Sequence, residues 1–287
     1  MQLLATDFNP VREFTEFVKH PYVDLPLGLD INKAVVYIWM SGALAIFLTW
    51  FVARRGLRVR PDRTQTAAEA VYDIAYTQIA KAGLPEEGMR LWFPYVATAF
   101  VFIWMMNLIG FIPLPLGDHK VDLFGIEIPA IQIYAATANL SVTLALTLVT
   151  VFASHFEGIR HNGPIRYFKS WMPSGLPSVR PLRLGSVGAA VLIFIIALIE
   201  VISQFVRIIS LSFRLFFNLL AGHLVISVFL AMGALIGGTA FYFIHPIGLA
   251  MGIALYTLEA TLIAALQAFI FASLSAIYIG GAIHPDH

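Results

Sequence analysis

The sequence contains no cysteine and few charged residues. Without cysteine the chain has no disulfide, no thiol nucleophile and no cysteine-ligated metal site. Charged residues make up 12% of its 287 residues, against roughly 25% in soluble domains. The net charge of +1 gives no reason to expect nucleic-acid binding. The chain also lacks a nucleotide-binding fingerprint, an HExxH motif and a GxSxG motif, so neither catalysis by this chain alone nor a cofactor is predicted.

Apolar residues dominate instead, at 59% of the chain, with a mean hydropathy of +0.81. Because about 20 apolar residues span a hydrocarbon core, the long apolar runs predict an all-α polytopic membrane protein with five membrane-embedded helices. These lie at 34–53, 91–116, 129–156, 187–232 and 247–279. We interpret the whole chain as one membrane domain. Its parts are an N-terminal tail (1–33), three spans with their loops (34–186) and a tilted helical hairpin (187–287).

Clusters of basic residues set the predicted orientation. Arginines follow the first span at 54–63, and a basic loop at 157–184 follows the third. The positive-inside rule places both loops in the cytoplasm. The N-terminal tail is therefore expected outside and, after five spans, the C-terminal residues 283–287 are expected in the cytoplasm.

The remaining connections are polar or short. Apolar residues recur at helical spacing within 64–88, which predicts an amphipathic helix on the cytoplasmic surface. It would serve either as a surface element or as a docking site for another chain. Residues 117–128 are predicted to form a short outer loop. No secretory signal is expected at Met1–Asp7, which is too short an apolar piece and lacks a basic lead-in.

The last two spans are too long for an upright crossing. At about 1.5 Å per residue, 187–232 would reach about 70 Å and 247–279 about 50 Å, whereas a hydrocarbon core is about 30 Å thick. Both helices are therefore predicted to be steeply tilted or bent. A turn between them is predicted from Gly233, Gly237, Gly238 and the His245–Pro246 pair.

Polar residues on the fourth span share one narrow face. Their spacing of 3, 4, 3, 4 and 4 positions matches the helical repeat. Arg214 lies near the middle of this stripe, keeps its proton in any protein environment, and costs about 2.5–3.5 kcal/mol at a bilayer centre. The stripe therefore predicts a path for an ion or a proton. Its members are Glu200, Ser203, Arg207, Ser210, Arg214 and Asn218.

Three further polar residues lie beside this stripe or opposite it. His223 points to another face of the fourth span, nearer the outer side, while Glu259 and Gln267 lie on the last span. A carboxyl in apolar surroundings needs protonation or a partner, and His223 is the predicted partner of Glu259. A purely structural role would not explain six polar residues on one face together with Glu259 and Gln267 opposite them. Taken singly, Ser203 and Ser210 also suit close helix packing, because small residues let helices approach closely.

These residues carry a resemblance to subunit a of the F-type ATP synthases. The central match is the signature Ser-Leu-x-x-Arg-Leu-x-x-Asn-x-x-Ala-Gly-[Glu/His] at 210–223. Further matches are Asn107–Pro113, Asn139–Thr143 and Gln267–Phe271. Together they cover most of the chain from residue 90 onward.

The resemblance implies a proton-conducting stator subunit in the bacterial plasma membrane. Its implied partners are a rotor ring of small hairpin subunits, each with a membrane-embedded carboxyl, and the b-type subunits of a peripheral stalk. Arg214 would hold the arriving ring carboxylate ionised and block direct proton passage between two offset half-channels. The resemblance assigns Asn218, His223, Glu259 and Gln267 to the outer half-channel and Glu200, Ser203 and Ser210 to the cytoplasmic one.

Two features differ from the family pattern. Some members carry Glu on the long helix and His on the last one, whereas here the types are exchanged as His223 and Glu259. The family's last-helix partner usually precedes the glutamine by seven positions, whereas Glu259 precedes Gln267 by eight. One position is about 100° of helix rotation, so the sequence leaves open whether Glu259 or a neighbouring residue faces the channel.

Two other classes of function compete with this interpretation. An ion-coupled secondary transporter would place its own substrate site at mid-membrane, and such folds often show internal repeats; no repeat is visible in this chain. A purely structural membrane anchor would have no use for the polar stripe.

Overall fold

The computed structural model describes residues 32–56, 58–112, 120–123, 126–129, 135–170, 185–235 and 241–284. The predictions for the N-terminal tail, for much of the basic loop after the third span and for the last three residues therefore lie outside the described residues. The elements in chain order are α1 (Lys33–Arg54), α2 (Arg63–Asp73), a π-helix (Ile74–Ala80), α3 (Lys81–Gly83), α4 (Glu86–Gly110), β1 (Lys120–Leu123), β2 (Ile126–Pro129), a 3-10 helix (Ala136–Ala138), α5 (Leu140–Asn162), α6 (Pro164–Ser170), α7 (Gly185–Leu235), α8 (Phe241–Leu258), a second π-helix (Glu259–Ile263) and α9 (Ala264–Ile283).

Five helical stretches are long and apolar enough to cross a membrane. They are α1, α4, α5, residues Phe194–Phe229 of α7, and the continuous stretch Ile244–Ile283 that runs through α8 and α9. The prediction of an all-α polytopic membrane protein with five spans is confirmed. The helix α7 also confirms the prediction of one long segment without a break: its 51 residues extend about 75 Å at the α-helical rise.

The second span begins earlier than predicted. Its helix α4 starts at Glu86 instead of residue 91, and it ends at Gly110 instead of residue 116. Glu86 and Glu87 lie in its first turn, where acidic side chains complement the positive end of the helix dipole. Acidic residues taken as part of a polar connection thus belong to the start of a span.

The predicted outer loop at 117–128 contains a β-hairpin. The strands β1 and β2 are antiparallel, with Lys120 opposite Pro129 and Leu123 opposite Ile126. Apolar and polar residues alternate from Val121 onward, which is the pattern of a strand. The third span is correspondingly shorter than predicted, because α5 begins at Leu140 instead of residue 129.

The predicted loop at 157–184 begins with helix. The helix α5 continues to Asn162, and α6 follows after Gly163. Gly163 has a φ of 77°, a left-handed conformation that costs glycine little because it has no Cβ. This turn lets α6 return along α5, so that Tyr167 bonds His155 at 2.6 Å between its hydroxyl and the imidazole Nδ1.

The predicted turn is wrong at His245–Pro246, because the helix α8 runs through this pair. Gly233 lies within α7, and Gly237 and Gly238 lie outside the described residues. Pro246 is the sixth residue of α8, which begins at Phe241. Proline lacks an N–H and its ring crowds the carbonyl four residues earlier. Near a helix start this affects only the carbonyl of Tyr242 in the first turn, and membrane helices tolerate such positions.

The amphipathic segment predicted at 64–88 is helical from Arg63 to Gly83, with a π-helix in its middle. Aromatic side chains join it to α4, because Phe93 meets Tyr72 and Tyr76 edge-on, with ring centroids 5.4 and 5.3 Å apart. Its place at the cytoplasmic membrane surface stays a prediction.

The described chain divides into two compact units. The first consists of the described parts of Met1–Val59, Val101–Val142 and Leu215–Ala268. The second unit consists of the described parts of Arg60–Phe100, Thr143–Arg214 and Phe269–His287. The single membrane domain predicted for the whole chain stays a prediction.

The first unit contains a buried polar residue, Asn107, that makes two hydrogen bonds to other elements. Its amide donates to the carbonyl oxygen of Ala264 at 3.1 Å, and its side-chain oxygen accepts from the Thr137 hydroxyl at 2.8 Å. All three residues are fully buried. Buried polar groups are costly unless hydrogen-bonded, so these bonds fix α4 against the start of α9.

The second unit buries a polar stripe of α5. Its residues recur at helical spacing and are all buried. Thr150 shares hydrogen bonds with the Tyr95 hydroxyl at 2.8 Å and the Ser275 hydroxyl at 3.3 Å. Small polar residues let membrane helices approach closely, so this stripe packs α5 against α4 and α9. Its members are Thr143, Thr147, Thr150, Ser154 and Glu157.

A close contact between two glycines predicts a specific loss of stability. A Cβ on Gly280 would lie 1.9 Å from the backbone oxygen of Gly83, so Gly280→Ala must push α9 away from α3. We expect Gly280→Ala to lower the free energy of unfolding by about 1–3 kcal/mol, the usual cost of overpacking. The midpoint of thermal unfolding in detergent measures this loss. Gly281→Ala is the matched control, because nothing lies within 4 Å of its added Cβ, and an equal loss in both variants would contradict the contact.

Candidate functional site

The polar stripe of α7 lies beside the buried face of that helix. Leu215 and Leu219 are buried, whereas Ser210, Arg214 and Asn218 are exposed. The stripe members nearer the helix start, which are Glu200, Ser203 and Arg207, are partly exposed. The stripe and the buried leucines thus occupy adjacent faces of α7.

Asn218 joins α7 to α9. Its side-chain amide donates to the side-chain oxygen of Gln267 at 3.1 Å, although 49 positions separate the two residues in sequence. Gln267 is buried with 4% of its surface exposed. Two of the four residues predicted for one end of the path are thus in direct contact.

Glu259 lies against the backbone of α7 at Gly222. A Cβ placed on Gly222 would lie 1.6 Å from the Glu259 oxygen Oε1, so a larger residue at this position would force the carboxyl to move. Glu259 is 2% exposed and the adjacent His223 is 5% exposed. The carboxyl and the imidazole are therefore both buried, but the predicted pairing is not seen: among the described residues no hydrogen bond or ion pair joins Glu259 to His223.

Neither group is satisfied by hydrogen bonds. Within the described part of the chain, the Oε1 atom of Glu259 and the Nε2 atom of His223 have no hydrogen-bond partner. Buried polar atoms nearly always have one. These two atoms are therefore exceptions among the buried polar atoms of the described chain.

Aromatic rings fix the orientation of His223. Its imidazole stacks on the ring of Phe111, with centroids 5.1 Å apart and planes inclined by 22°. The Tyr256 hydroxyl donates to the backbone oxygen of Phe111, and the two rings meet edge-on. Phe111 therefore connects the imidazole to the last span.

The other predicted residues are on α7 alone. Gln204 donates to the Glu200 oxygen Oε1 at 2.9 Å, a bond between adjacent turns of one helix. Across the described ranges, Ser203, Ser210 and Arg214 have no hydrogen bond or ion pair. The structure thus joins Asn218 to Gln267 and places Glu259 against Gly222, next to the buried His223. Among the described residues, no hydrogen bond or ion pair joins Glu200, Ser203, Ser210 or Arg214 to another helix.

Arg207 has a different environment from that of Arg214. Its guanidinium lies over the ring of Tyr278, 4.5 Å from the centroid, a favourable cation–π contact. The ring of Tyr278 on the last span therefore supplies a local partner for this charge. The two arginines therefore differ, because only Arg207 is already paired.

Sequence reasoning missed Gly222, Phe111 and Asn107 as parts of this site. All three lie inside the family-like segments Asn107–Pro113 and 210–223, but none of them belongs to the polar stripe that helical spacing singled out. Among the residues that the structure describes, no group of three or more His, Asp or Glu could hold a metal ion.

Five apolar helices and a buried cluster of polar residues define the class of this molecule: it is a multi-pass α-helical membrane protein. The sequence model of the family "ATP synthase A chain" matches residues 35–280. The chain is 34% identical to ATP synthase subunit a of Rubrobacter xylanophilus over 88% of its length and 84% of that protein's. It is 32% identical to the subunit of Maricaulis maris over 98% and 99% of the two chains.

This chain belongs to the ATP synthase A chain family. A third relative, from Afipia carboxidovorans, is 34% identical over 89% of both chains and is also an ATP synthase subunit a. Membership makes the chain a membrane-embedded subunit that works with other subunits of the ATP synthase complex. It is therefore not a catalyst of ATP synthesis by itself.

Proposed function

We propose that this chain is the proton-conducting stator subunit of a rotary F-type ATP synthase in a bacterial plasma membrane. Arg214 is the observation that carries the proposal. It is a fixed positive charge near the middle of the span Phe194–Phe229, it is exposed, and it has no ion pair within the described residues. An unpaired charge in an apolar medium is costly, so its counterpart is expected on another chain.

The rotor ring supplies that counterpart. Each small hairpin subunit of the ring would bring a membrane-embedded carboxyl past Arg214, and the guanidinium would hold it ionised through a charge-assisted contact. Because arginine does not release its proton, Arg214 cannot pass protons on. It therefore acts as a barrier to leakage and as the group that drives proton release from the ring.

The outer half-channel consists of the contact between α7 and the last span. His223 and Glu259 are buried proton-exchanging groups, and the Asn218–Gln267 bond lies on the same side of the contact. We assign proton transfer to His223 and Glu259. Asn218 and Gln267 provide hydrogen bonds that keep polar surroundings beside Arg214.

The cytoplasmic half-channel uses Glu200, Ser203 and Ser210. Glu200 would exchange protons with the cytoplasm, and the two hydroxyls would line the way toward the ring. In this orientation the N-terminus lies outside and the C-terminus in the cytoplasm, as the basic loops predict. The b-type subunits of a peripheral stalk would hold the chain against the turning ring.

The energy available suits this arrangement. Moving one charge across 100 mV supplies about 2.3 kcal/mol, and offset half-channels force each proton to travel with the ring, so that this energy drives rotation. The alternative of an ion-coupled secondary transporter needs its own substrate site, and the family assignment argues against it.

A cross-linking experiment tests whether the stripe faces the ring. The chain has no cysteine of its own, so single cysteines report on one position each. We expect Ser210→Cys and Asn218→Cys, which flank Arg214, to form disulfides with a cysteine placed beside the ring carboxyl. Ser212→Cys is the matched control, because Ser212 is buried on another face of α7. Equal cross-linking at all three positions, or none at the flanking two, would contradict the proposal.

A further inference from the structure

The spacing of Glu259 and Gln267 does not fit an ordinary helix. Both side chains contact α7, yet eight positions separate them. In an uninterrupted α-helix eight positions turn the second residue about 80° away from the first, whereas seven positions leave the two within about 20° of each other. An α-helix would therefore bring one of these side chains to α7 and turn the other aside.

The second π-helix removes this conflict. It spans Glu259–Ile263, and the N–H of Ala264 donates to the carbonyl oxygen of Glu259, five residues earlier. A π turn holds about one residue more than an α turn. Glu259 and Gln267 are consequently in phase, as residues seven apart would be in an α-helix.

The contacts on α7 require this phase. Glu259 lies against Gly222 and Gln267 bonds Asn218. Gly222 and Asn218 are four positions apart and so lie on one face of α7. Both contacts form together only when Glu259 and Gln267 also share one face of their own helix.

Asn107 holds the far end of the π turn. Its amide donates to the carbonyl oxygen of Ala264, the residue at which the α-helix resumes. The bond to Thr137 fixes the orientation of Asn107 in turn. The place at which the extra residue is accommodated is therefore set by buried hydrogen bonds.

We propose that the π turn Glu259–Ile263 is a positioning element that absorbs one additional residue and thereby presents Glu259 and Gln267 to α7 together. The role of these two side chains in proton transfer rests on the proposed function, whereas their placement by the π turn does not. The two claims can therefore be tested separately.

Deletion of Thr261 tests the placement. Thr261 is exposed within the π turn, and its removal should give a regular α-helix in which Glu259 and Gln267 are seven positions apart. Two cysteine pairs report the geometry in complexes whose stator chain is otherwise cysteine-free: Asn218→Cys with Gln267→Cys, and Gly222→Cys with Glu259→Cys. We expect both pairs to form disulfides in the parent and in the deletion variant.

Insertion of one alanine between Ile263 and Ala264 is the opposite change. It turns Glu259 by about a further 100° relative to Gln267, so at least one of the two disulfides should be lost. Loss of either disulfide in the deletion variant, or retention of both in the insertion variant, would overturn the proposal. Deletion of exposed Leu262 is the second variant. If neither deletion variant accumulates in the membrane, that result would also count against the proposal, because a regular α-helix should fit the same contact with α7.

Proton pumping in the same variants without added cysteines separates the two claims. With the side chains in place, the deletion variant should pump at a rate close to that of the parent and with the same pH profile, and the insertion variant should lose most of its pumping. If the insertion breaks a disulfide pair while pumping and its pH profile stay unchanged, the positioning claim stands. Glu259 and Gln267 would then leave the proton path.

Discussion

Arg214→Ala is expected to abolish ATP-driven proton pumping while the complex still assembles. The side chain is exposed and has no hydrogen bond or ion pair within the described residues, so its removal breaks no internal contact of the fold. Without the fixed charge the ring carboxylate has no partner when it loses its proton. We expect a fall of about 100-fold or more, the loss seen when one preorganised electrostatic partner is removed. Acidification of vesicles containing the purified complex measures it.

Two further variants make this result specific. Arg214→Lys should also fail substantially, because lysine can lose its proton and is a compact point charge without the planar guanidinium. Arg63→Ala is the matched control: Arg63 is an exposed arginine at the start of α2, outside the spans, and pumping should be unchanged. Normal coupled pumping by Arg214→Ala would refute the mechanism.

Local patterns predicted the long helices well. The absence of proline over 185–235 and the apolar character of its residues are local properties, and α7 extends within a few residues of the predicted 187–232. Proline was a less reliable guide at Pro246, where a turn was predicted and the helix continues. In a membrane the backbone keeps its helical hydrogen bonds wherever it can. Losing the one hydrogen bond that proline cannot donate therefore costs less free energy than ending the helix in a turn.

The contacts of the site were harder to predict. The Glu200–Gln204 bond is a local contact between adjacent turns, whereas Asn218 and Gln267 meet only after the chain has folded back. Helical spacing identifies which residues share a face, and it does not identify the helix that covers that face. The role of Gly222 depends wholly on the carboxyl of another helix, so no local pattern could reveal it.

The π turn could not be predicted from residue types. It changes one hydrogen-bond step of the backbone, and the residues Glu259–Ile263 have no composition that favours it over an α-helix. Contacts elsewhere select it, because Gly222 and Asn218 hold two side chains that an α-helix would separate. The single sign in the sequence is the spacing of eight positions, which leaves open whether Glu259 or a neighbouring residue faces the channel. In the structure this spacing is the reason that a π turn is needed.

Glu259→Gln is expected to slow proton transfer by about 100-fold, the lower end of what a positioned proton-transfer group contributes. Glutamine has nearly the same shape, so the packing against Gly222 should persist, but its amide neither takes up nor releases a proton. The remaining transfer would depend on other groups, so its pH profile should shift as well as its rate. Proton pumping and ATP synthesis measured across a range of pH in reconstituted vesicles test both effects.

Two controls separate the chemistry of Glu259 from its packing. Glu69→Gln changes an exposed glutamate of α2 that accepts a hydrogen bond from Gln65, and it should leave both rate and pH profile unchanged. Glu259→Asp keeps a carboxyl but shortens the side chain, so it should recover part of the lost rate if the proton-exchanging group is what matters. A rate as low as that of Glu259→Gln would instead make the fit against Gly222 the dominant requirement. An unchanged rate and pH profile in Glu259→Gln would remove Glu259 from the path and leave His223 as the buried exchanging group on this side of α7.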